Sequence, residues 1–208
     1  MAGPIPSLHG TSLSGHTHRV SAFLHLLGLP FRFVDSPAAV RQSAAFRALN
    51  PLGQIPVYQE GELVLADSNA ILVYLAGRHD PEGRWLPREP VAAARVQRWL
   101  SIAAGELMYG PATARLITLF GRPGDVLRAR EIAARLLAFV EQHLTGQPFL
   151  AAGHATIADL ACYAYVAHAP EGRVPLEPFP AVRAWIARVE ALPGFVPMAK
   201  SAIPDGAP

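Results

Sequence analysis

The chain has 208 residues, of which 51% are hydrophobic and 16% are charged, so it can build a substantial core and is not a disordered protein. Its net charge is +2 at pH 7, and its arginines are spread along the chain without a basic run. This distribution argues against nucleic acid as a partner, and the length suits one large domain or two small ones.

The first 80 residues are predicted to alternate short strands with helices. Residues 6–10 form a short apolar run that ends in glycine, and residues 31–35 alternate as a strand does. Between them an amphipathic helix is predicted from apolar residues at helical spacing, namely Val20, Phe23, Leu24 and Leu27. A helix between two strands makes a βαβ unit with parallel strands.

A polar, partly helical stretch follows the second strand. Two short apolar runs then flank Glu60-Gly61, which predicts an antiparallel hairpin. Residues 68–80 are predicted to be helical again. The order of elements in this half is therefore β-α-β-α-β-β-α.

Residues 80–90 contain three prolines and a glycine and are predicted to be a linker, with Trp85 as a packing anchor. Beyond them the strand patterns disappear. Three amphipathic helices are predicted from apolar stripes at Val96/Trp99/Leu100/Ala103, Ile132/Leu136/Phe139/Val140 and Val182/Trp185/Ile186/Val189. Residues 158–169 are apolar nearly all round, which is typical of the central helix of a bundle, so the second half is predicted to be all-helical.

A small α/β domain followed by an all-helical domain resembles the glutathione S-transferase superfamily, and local motifs carry the resemblance further. LNPLGQIP at 49–56 is similar to the family's Asn-Pro-X-Gly-X-X-Pro stretch, and LADSNAILVYLA at 65–76 is similar to the acidic-serine pair that opens its third helix. SGHTHRV at 14–20 matches the Ser-X-X-Thr-X-Arg-Val pattern of phi-type enzymes, and its serine-to-valine spacing also suits the theta, tau and zeta types. ATIADL at 155–160 resembles the capping-box motif of the helical half.

The resemblance implies a thioredoxin-like, glutathione-binding domain over residues 1–80 and a linker over 81–89. An all-helical domain over 90–208 would contribute the pocket for an electrophilic substrate. The implied activity uses the glutathione thiolate to conjugate or to reduce small hydrophobic electrophiles, with glutathione as co-substrate.

Two motifs are implied to hold glutathione. In the resembled fold Pro56 follows a cis peptide bond, which turns the backbone of Ile55 outward to pair with the cysteine of glutathione. Asp67 and Ser68 open a helix whose N-terminus would bind the γ-glutamyl carboxylate, with the Ser68 hydroxyl as a donor and Asp67 as acceptor for the α-amino group. Relatives usually carry glutamate where this chain has Asp67. Taken alone, Pro56 could be an ordinary loop proline and Asp67-Ser68 a plain helix cap.

The glycine carboxylate of glutathione needs a cation. Arg41 and Gln42 fall where phi-type enzymes carry a histidine-lysine pair, and an arginine can hold a carboxylate with two hydrogen bonds. Gln54 is a further candidate donor. A solvated surface arginine is the alternative interpretation of Arg41.

Stabilisation of the thiolate is assigned to Ser14. A free thiol with a pKa near 8.5 is only about 3% ionised at pH 7, and the thiolate is the nucleophile. Ser14 directly precedes the first predicted helix, so its hydroxyl and the helix N-terminus could both act on the sulfur. Ser12 and Thr11 in the approaching loop are the runners-up. A simple N-cap role for Ser14 is compatible with this assignment.

The electrophile pocket is expected beside the loop 10–16, with candidate lining residues His16, Glu106, Met108, Tyr109 and Arg115. His18 is expected at the pocket edge or on the surface. These residues are too mixed in character to name a substrate.

Neither the single cysteine nor the histidines predict further chemistry. Cys162 lies among apolar residues and is expected in the core, while Thr156 and Asp159 are expected to form a structural capping box. His16-x-His18 has no evident third ligand, so no metal is expected. The lone cysteine, the absence of a signal-peptide pattern and the absence of a long apolar run predict a cytoplasmic protein that does not meet a membrane.

Other functions stay open on the sequence alone. The resemblance implies a homodimer, and glutathione-dependent peroxidase, disulfide reductase or isomerase chemistry would use the same pocket. A non-catalytic binding module with this fold is the alternative from another class. The presence of Ser14, Gln54, Pro56, Asp67 and Ser68 together favours an enzyme.

Overall fold

The computed structural model describes residues 4–207, and its first half is built on a four-stranded sheet with the order β2-β1-β3-β4. The strands are β1 (Ser7–Gly10), β2 (Arg32–Asp35), β3 (Val57–Glu60) and β4 (Leu63–Ala66). The β1 and β2 strands are parallel, whereas β3 runs antiparallel to both β1 and β4. The predicted βαβ unit and the predicted hairpin are both confirmed.

Four helices accompany this sheet: α1 (Gly15–Leu26), α2 (Ala38–Gln42), α3 (Ala44–Leu49) and α4 (Ser68–His79). The α1 helix buries Val20, Phe23 and Leu24, as its periodicity predicts. The polar stretch after β2 divides into two short helices at Ser43, which leaves the helical conformation and accepts a hydrogen bond from the Phe46 N–H.

The second half is all-helical, as predicted. It contains α5 (Pro90–Ala104), α6 (Thr113–Phe120), α7 (Val126–Leu144), α8 (Ile157–Ala167) and α9 (Pro180–Glu190). The α8 helix is the centre of the molecule, because every residue from Ile157 to Val166 is buried and the helix packs against α1, α5 and α9. The predicted capping box between Thr156 and Asp159 opens it.

Two details of the helical half differ from expectation. On α7 the buried positions include Ala133 and Leu137, whereas Ile132 and Phe139 are only half-buried. Residues Met108–Ala112 form a π-helical turn between α5 and α6, which the apolar pattern does not predict. Gly110 is required in this turn, because a Cβ there would lie 2.8 Å from the backbone nitrogen of Ala133.

Trp85 joins the two halves. Its ring packs edge-to-face on Phe23 of α1 at a centroid distance of 5.2 Å, and its carbonyl accepts a hydrogen bond from Ile157 at the start of α8. Trp85 thus holds the sheet half and the helical half together. Within residues 4–207, no helix is both long and apolar enough to cross a lipid bilayer.

Candidate active site

A cleft of about 950 Å³ lies between the two halves and gathers most of the residues that the sequence singles out. From the first loop, the first turn of α1 and α2, it is lined by Thr11, Ser12, Ser14, His16, Arg41 and Gln42. From elsewhere it is lined by Gln54, Ile55, Asp67 and Arg115.

Ser14 lies at the N-terminus of α1, where its backbone is extended and its Oγ accepts a hydrogen bond from the Thr17 N–H at 3.2 Å. Since the oxygen acts as acceptor in this cap, its own O–H can still be donated into the cleft. Its backbone N–H donates to the carbonyl of Thr11 at 3.1 Å, which fixes the turn that leads into the helix. Thr11 and Ser12 border the cleft but do not cap the helix.

The segment before β3 is shaped by Asn50, which is buried. Its side chain donates to the Gln54 carbonyl at 2.9 Å and accepts from the Leu52 N–H at 3.1 Å, so the loop presents Gln54 and Ile55 to the cleft. The Ile55–Pro56 peptide bond is cis, as the resemblance implies. Pro56 itself is buried behind this edge.

Arg41 faces the same loop from α2. Its Nε is buried and has no hydrogen-bond partner within residues 4–207. Gly53 approaches the carbonyl of Arg41 so closely that a Cβ would lie 3.2 Å from it, and its φ of +63° also favours glycine. Arg41 therefore borders the cleft, and its Nε–H donor is unused within the described residues.

Asp67 caps α4 in an unusual backbone conformation. Its φ is +72°, a region that L-residues with a side chain rarely occupy, and its Oδ1 accepts from the N–H groups of Asn69 and Ala70 at 2.9 and 3.0 Å. The N-terminus of α4 is thereby directed at the cleft with a carboxylate on its rim. Strained residues of this kind persist where the surrounding structure holds them, often at binding sites.

Ser68 is buried and belongs to a chain of polar contacts rather than to the cleft lining. Its Oγ lies 2.9 Å from Arg19 Nη1 and 3.3 Å from His16 Nδ1, while His16 Nε2 lies 3.4 Å from the Met108 sulfur. Burial, and secondarily the charge of Arg19, lowers the pKa of His16 to about 3, so the ring is neutral at pH 7. The consistent arrangement has Arg19 donating to Ser68, Ser68 to His16, and His16 to Met108.

Arg19 is the main site residue that sequence reasoning missed. It lines the cleft, is 1% exposed, and has Nε and Nη2 without partners among the described residues. The sequence contains a signal for it, because Arg19 is part of the SGHTHRV motif and lies four residues before Phe23, on the buried face of α1. Tyr165, Asn69, Leu116, Phe120 and Arg122 also line the cleft and were not singled out.

Glu106 and Tyr109 are exposed and do not border the cleft within residues 4–207, whereas the neighbouring Met108 does. The expectation that His18 lies at the pocket edge or surface is wrong. His18 is 8% exposed, and its Nε2 bonds the Val196 carbonyl at 2.8 Å, because the C-terminal segment returns over α1. Burial lowers the pKa of His18 to about 4.

Burial lowers the pKa of both His16 and His18, and this predicts a pH-dependent stability. Below about pH 6.5 the unfolded chain protonates both rings, but the folded protein does not until pH 3–4, so the free energy of unfolding should fall as the pH falls. Each pH unit in this window is worth about 1.4 kcal/mol per ring, so His18 should contribute roughly 2 kcal/mol between about pH 6.5 and 5. Urea unfolding at a series of pH values measures this change in the free energy of unfolding.

His18→Gln is the informative variant, because the amide can still donate to the Val196 carbonyl but does not titrate. Its stability should fall less steeply with pH than that of the wild type, by the amount assigned to His18. His79→Gln, in the last turn of α4, keeps both His16 and His18 and should retain the wild-type slope. Equal slopes for His18→Gln and the wild type would contradict the prediction.

Family models match both halves of the chain. One described as glutathione S-transferase, N-terminal domain, matches residues 13–78, and one described as glutathione S-transferase, C-terminal domain, matches residues 106–193. Glutathione S-transferase 3 of Zea mays is 31% identical over 202 residues, which cover 90% of this chain and 90% of that protein.

Solved structures agree with this match. A glutathione S-transferase from Pseudomonas fluorescens superposes with a TM-score of 0.88 at 33% identity, covering 95% of this chain and all of the other. A theta-class glutathione S-transferase from Xanthomonas axonopodis pv. citri, solved with glutathione bound, gives a TM-score of 0.83 at 25% identity and covers 97% of this chain and 100% of its own. With both halves matched, the chain belongs to the glutathione S-transferase family.

Proposed function

We propose that this chain is a glutathione transferase that uses the glutathione thiolate to attack small hydrophobic electrophiles. The observation that carries the proposal is the position of Ser14, whose hydroxyl caps α1 and faces a cleft shared with Gln54, Ile55 and Asp67. A hydroxyl donor and a helix N-terminus both favour a thiolate placed between them.

Each part of glutathione finds a suitable group in the cleft. The backbone of Ile55 would pair with the cysteine, and Arg41, with Gln42 and Gln54 beside it, would hold the glycine carboxylate. The N-terminus of α4 would hold the γ-glutamyl carboxylate, and Asp67 would accept from the α-amino group.

The role proposed for Ser68 changes with its surroundings. The Ser68 hydroxyl accepts a hydrogen bond from Arg19 and donates one to His16, so it is not free to donate to glutathione. We therefore propose that Ser68 contributes its backbone N–H, at the N-terminus of α4, and not its side chain. Arg19 then supplies a buried positive charge behind the anion, with two nitrogens that lack protein partners among residues 4–207.

The chemistry assigned to Ser14 is stabilisation of the thiolate by a donated hydrogen bond. The net reaction forms one sulfur–carbon bond and breaks the bond to the leaving group, which departs with its electron pair, while the thiol proton is released to water. A protein thiol has no part in it: Cys162 is the only cysteine in the chain, it is buried, and burial raises its pKa to about 12.

We further propose that residues 1–80 act as the glutathione-binding domain, 81–89 as the linker, and 90–208 as the domain that completes the electrophile pocket. A homodimer, a cytoplasmic location and a role in detoxification are proposed from the family alone. Light scattering on the purified protein should give twice the mass of one chain.

Binding of glutathione tests the function directly. At a concentration ten times its Kd, glutathione should stabilise the folded protein by about 1.4 kcal/mol, which raises Tm by roughly 3–6 °C for a protein of this size. Cysteinylglycine, which lacks the γ-glutamyl group, is the control ligand and should give a smaller shift. No shift with millimolar glutathione and no retention on glutathione resin would contradict the enzyme and favour a binding module.

A further inference from the structure

The charges that line the cleft are unevenly balanced. Its acidic lining, within the described part of the chain, is Asp67 alone, whereas its basic lining consists of Arg19, Arg41, Arg47, Arg115 and Arg122. The proposed glutathione site employs Asp67 with Arg19 and Arg41. Of the remaining three, Arg47 is on α3 in the sheet half, whereas Arg115 on α6 and Arg122 just beyond its end belong to the helical half, where the electrophile would lie.

Arg115 is a buried cation with one group unused. It is 1% exposed, its Nε pairs with Glu171, and its Nη1 donates to the Leu13 carbonyl at 2.9 Å. Its Nη2 is buried and has no partner within residues 4–207. An unsatisfied buried donor on a charged group costs free energy, and a ligand acceptor would remove that cost.

Glu171 offsets part of the charge of Arg115 from behind the cleft and leaves that of Arg122 in place. Its carboxylate also accepts from His168 Nδ1 at 2.8 Å and from the Ser201 N–H at 2.7 Å, and it is not a cleft residue. Burial alone would raise the pKa of this carboxyl, but the hydrogen bonds from Ser201, His168 and Arg115 hold it below its usual value. The carboxylate is therefore fixed behind Arg115 and holds the guanidinium in place.

Apolar side chains line the cleft together with the two cations. Leu13, Leu116 and Phe120 line the cleft beside Arg115, whose guanidinium carbon lies 5.7 Å from the centre of the Phe120 ring. Arg122 follows Gly121, where the left-handed C-cap at φ +59° ends α6, and its side chain is exposed at the cleft. The surface suits an apolar body that ends in an anionic group.

We propose that the electrophile of this enzyme is an apolar acid, an aromatic or aliphatic body whose carboxylate is bound by Arg115 and Arg122. The inference rests on the proposed transferase function and specifies its substrate class. The carboxylate takes no part in the bond changes: with an aryl chloride, a sulfur–carbon bond forms, the carbon–chlorine bond breaks with its electrons on chloride, and the thiol proton passes to water.

Binding of two matched conjugates tests the proposal without turnover. S-(4-carboxybenzyl)glutathione and its neutral isostere S-(4-carbamoylbenzyl)glutathione differ only in the charge of the group carried by the benzyl ring. The carboxylate should bind about tenfold more tightly in calorimetry at low salt, the lower end for hydrogen bonds to charged groups. Affinities within twofold of one another would overturn the proposal.

Variants assign the preference to the two arginines. Arg122→Gln should reduce it about threefold, because Arg122 is exposed and its charge is screened by water. Arg128→Gln removes an exposed arginine of α7 that does not line the cleft, and it should leave the preference unchanged. Arg115→Met should abolish most of the preference if the variant folds; if it does not fold, Arg122→Gln alone decides.

The outcomes separate this inference from the function on which it rests. A carboxylate preference that survives undiminished in every folded variant would place the recognition elsewhere and overturn the assignment. If the protein binds glutathione but binds the two conjugates with equal affinity, the proposed substrate class is overturned and the transferase function stands. Failure of glutathione and of both conjugates to bind would contradict the proposed function itself.

Discussion

Ser14→Ala should lower turnover at pH 7 by about 10- to 30-fold while changing glutathione affinity much less. Lowering the thiol pKa by about two units from 8.5 raises the thiolate fraction from about 3% to roughly three-quarters at pH 7, and loss of the donor reverses most of this gain. The pH at which activity reaches half its maximum should therefore move upward in the variant. The loss should shrink toward pH 9, where the thiol ionises without assistance.

The pH profile of kcat/KM and the ultraviolet absorbance of the bound thiolate are the measurements. Ser14 is also a helix cap, so its removal should cost about 1 kcal/mol of stability. Ser43→Ala is the matched control, because it removes the serine cap of α3 outside the cleft lining and should leave turnover intact. Full activity in Ser14→Ala together with loss in Ser12→Ala or Thr11→Ala would transfer the role to a runner-up.

The parts of the fold that the sequence predicts are those governed by local periodicity. The βαβ unit, the hairpin and the buried α8 follow from spacings of two and of three or four residues, and the structure has each of them. The buried face of α7 is less determined, because Ile132 and Ala133 are adjacent and either could face inward. Packing against the π-helical turn decides it, since Gly110 contacts Ala133 closely.

The contacts within the site that were missed join distant parts of the chain. Ser68 and His16 are 52 residues apart, and His16 and Met108 are 92 apart, so no local pattern links them. The unpredicted π-helical turn also matters, since one extra residue per turn rotates the following side chains about the helix axis. Met108, the first residue of this turn, borders the cleft, while the adjacent Tyr109 is 65% exposed.

Asp159→Asn should destabilise the folded protein by about 3 kcal/mol or more, because the carboxylate is fully buried and satisfies several donors. Its Oδ1 accepts from the Leu150 N–H and from Trp185 Nε1, both at 2.9 Å, and its Oδ2 accepts from the Thr156 N–H at 2.8 Å. Burial raises the pKa of this carboxyl, and these hydrogen bonds oppose the shift. An asparagine offers one oxygen, so its NH₂ group would face a buried donor.

Asp125→Asn is the matched control for this prediction. Asp125 caps α7 at an exposed position, where its Oδ1 accepts from the Arg128 N–H at 2.9 Å, and asparagine caps a helix about as well as aspartate. We therefore expect a change below about 0.5 kcal/mol there, against a shift several times larger for Asp159→Asn in urea unfolding. Similar losses in the two variants would mean that Asp159 acts only as a helix cap. A large difference would show that α8, Leu150 and α9 are held together by one buried carboxylate, which fixes the helix on which α1 and Ser14 are packed.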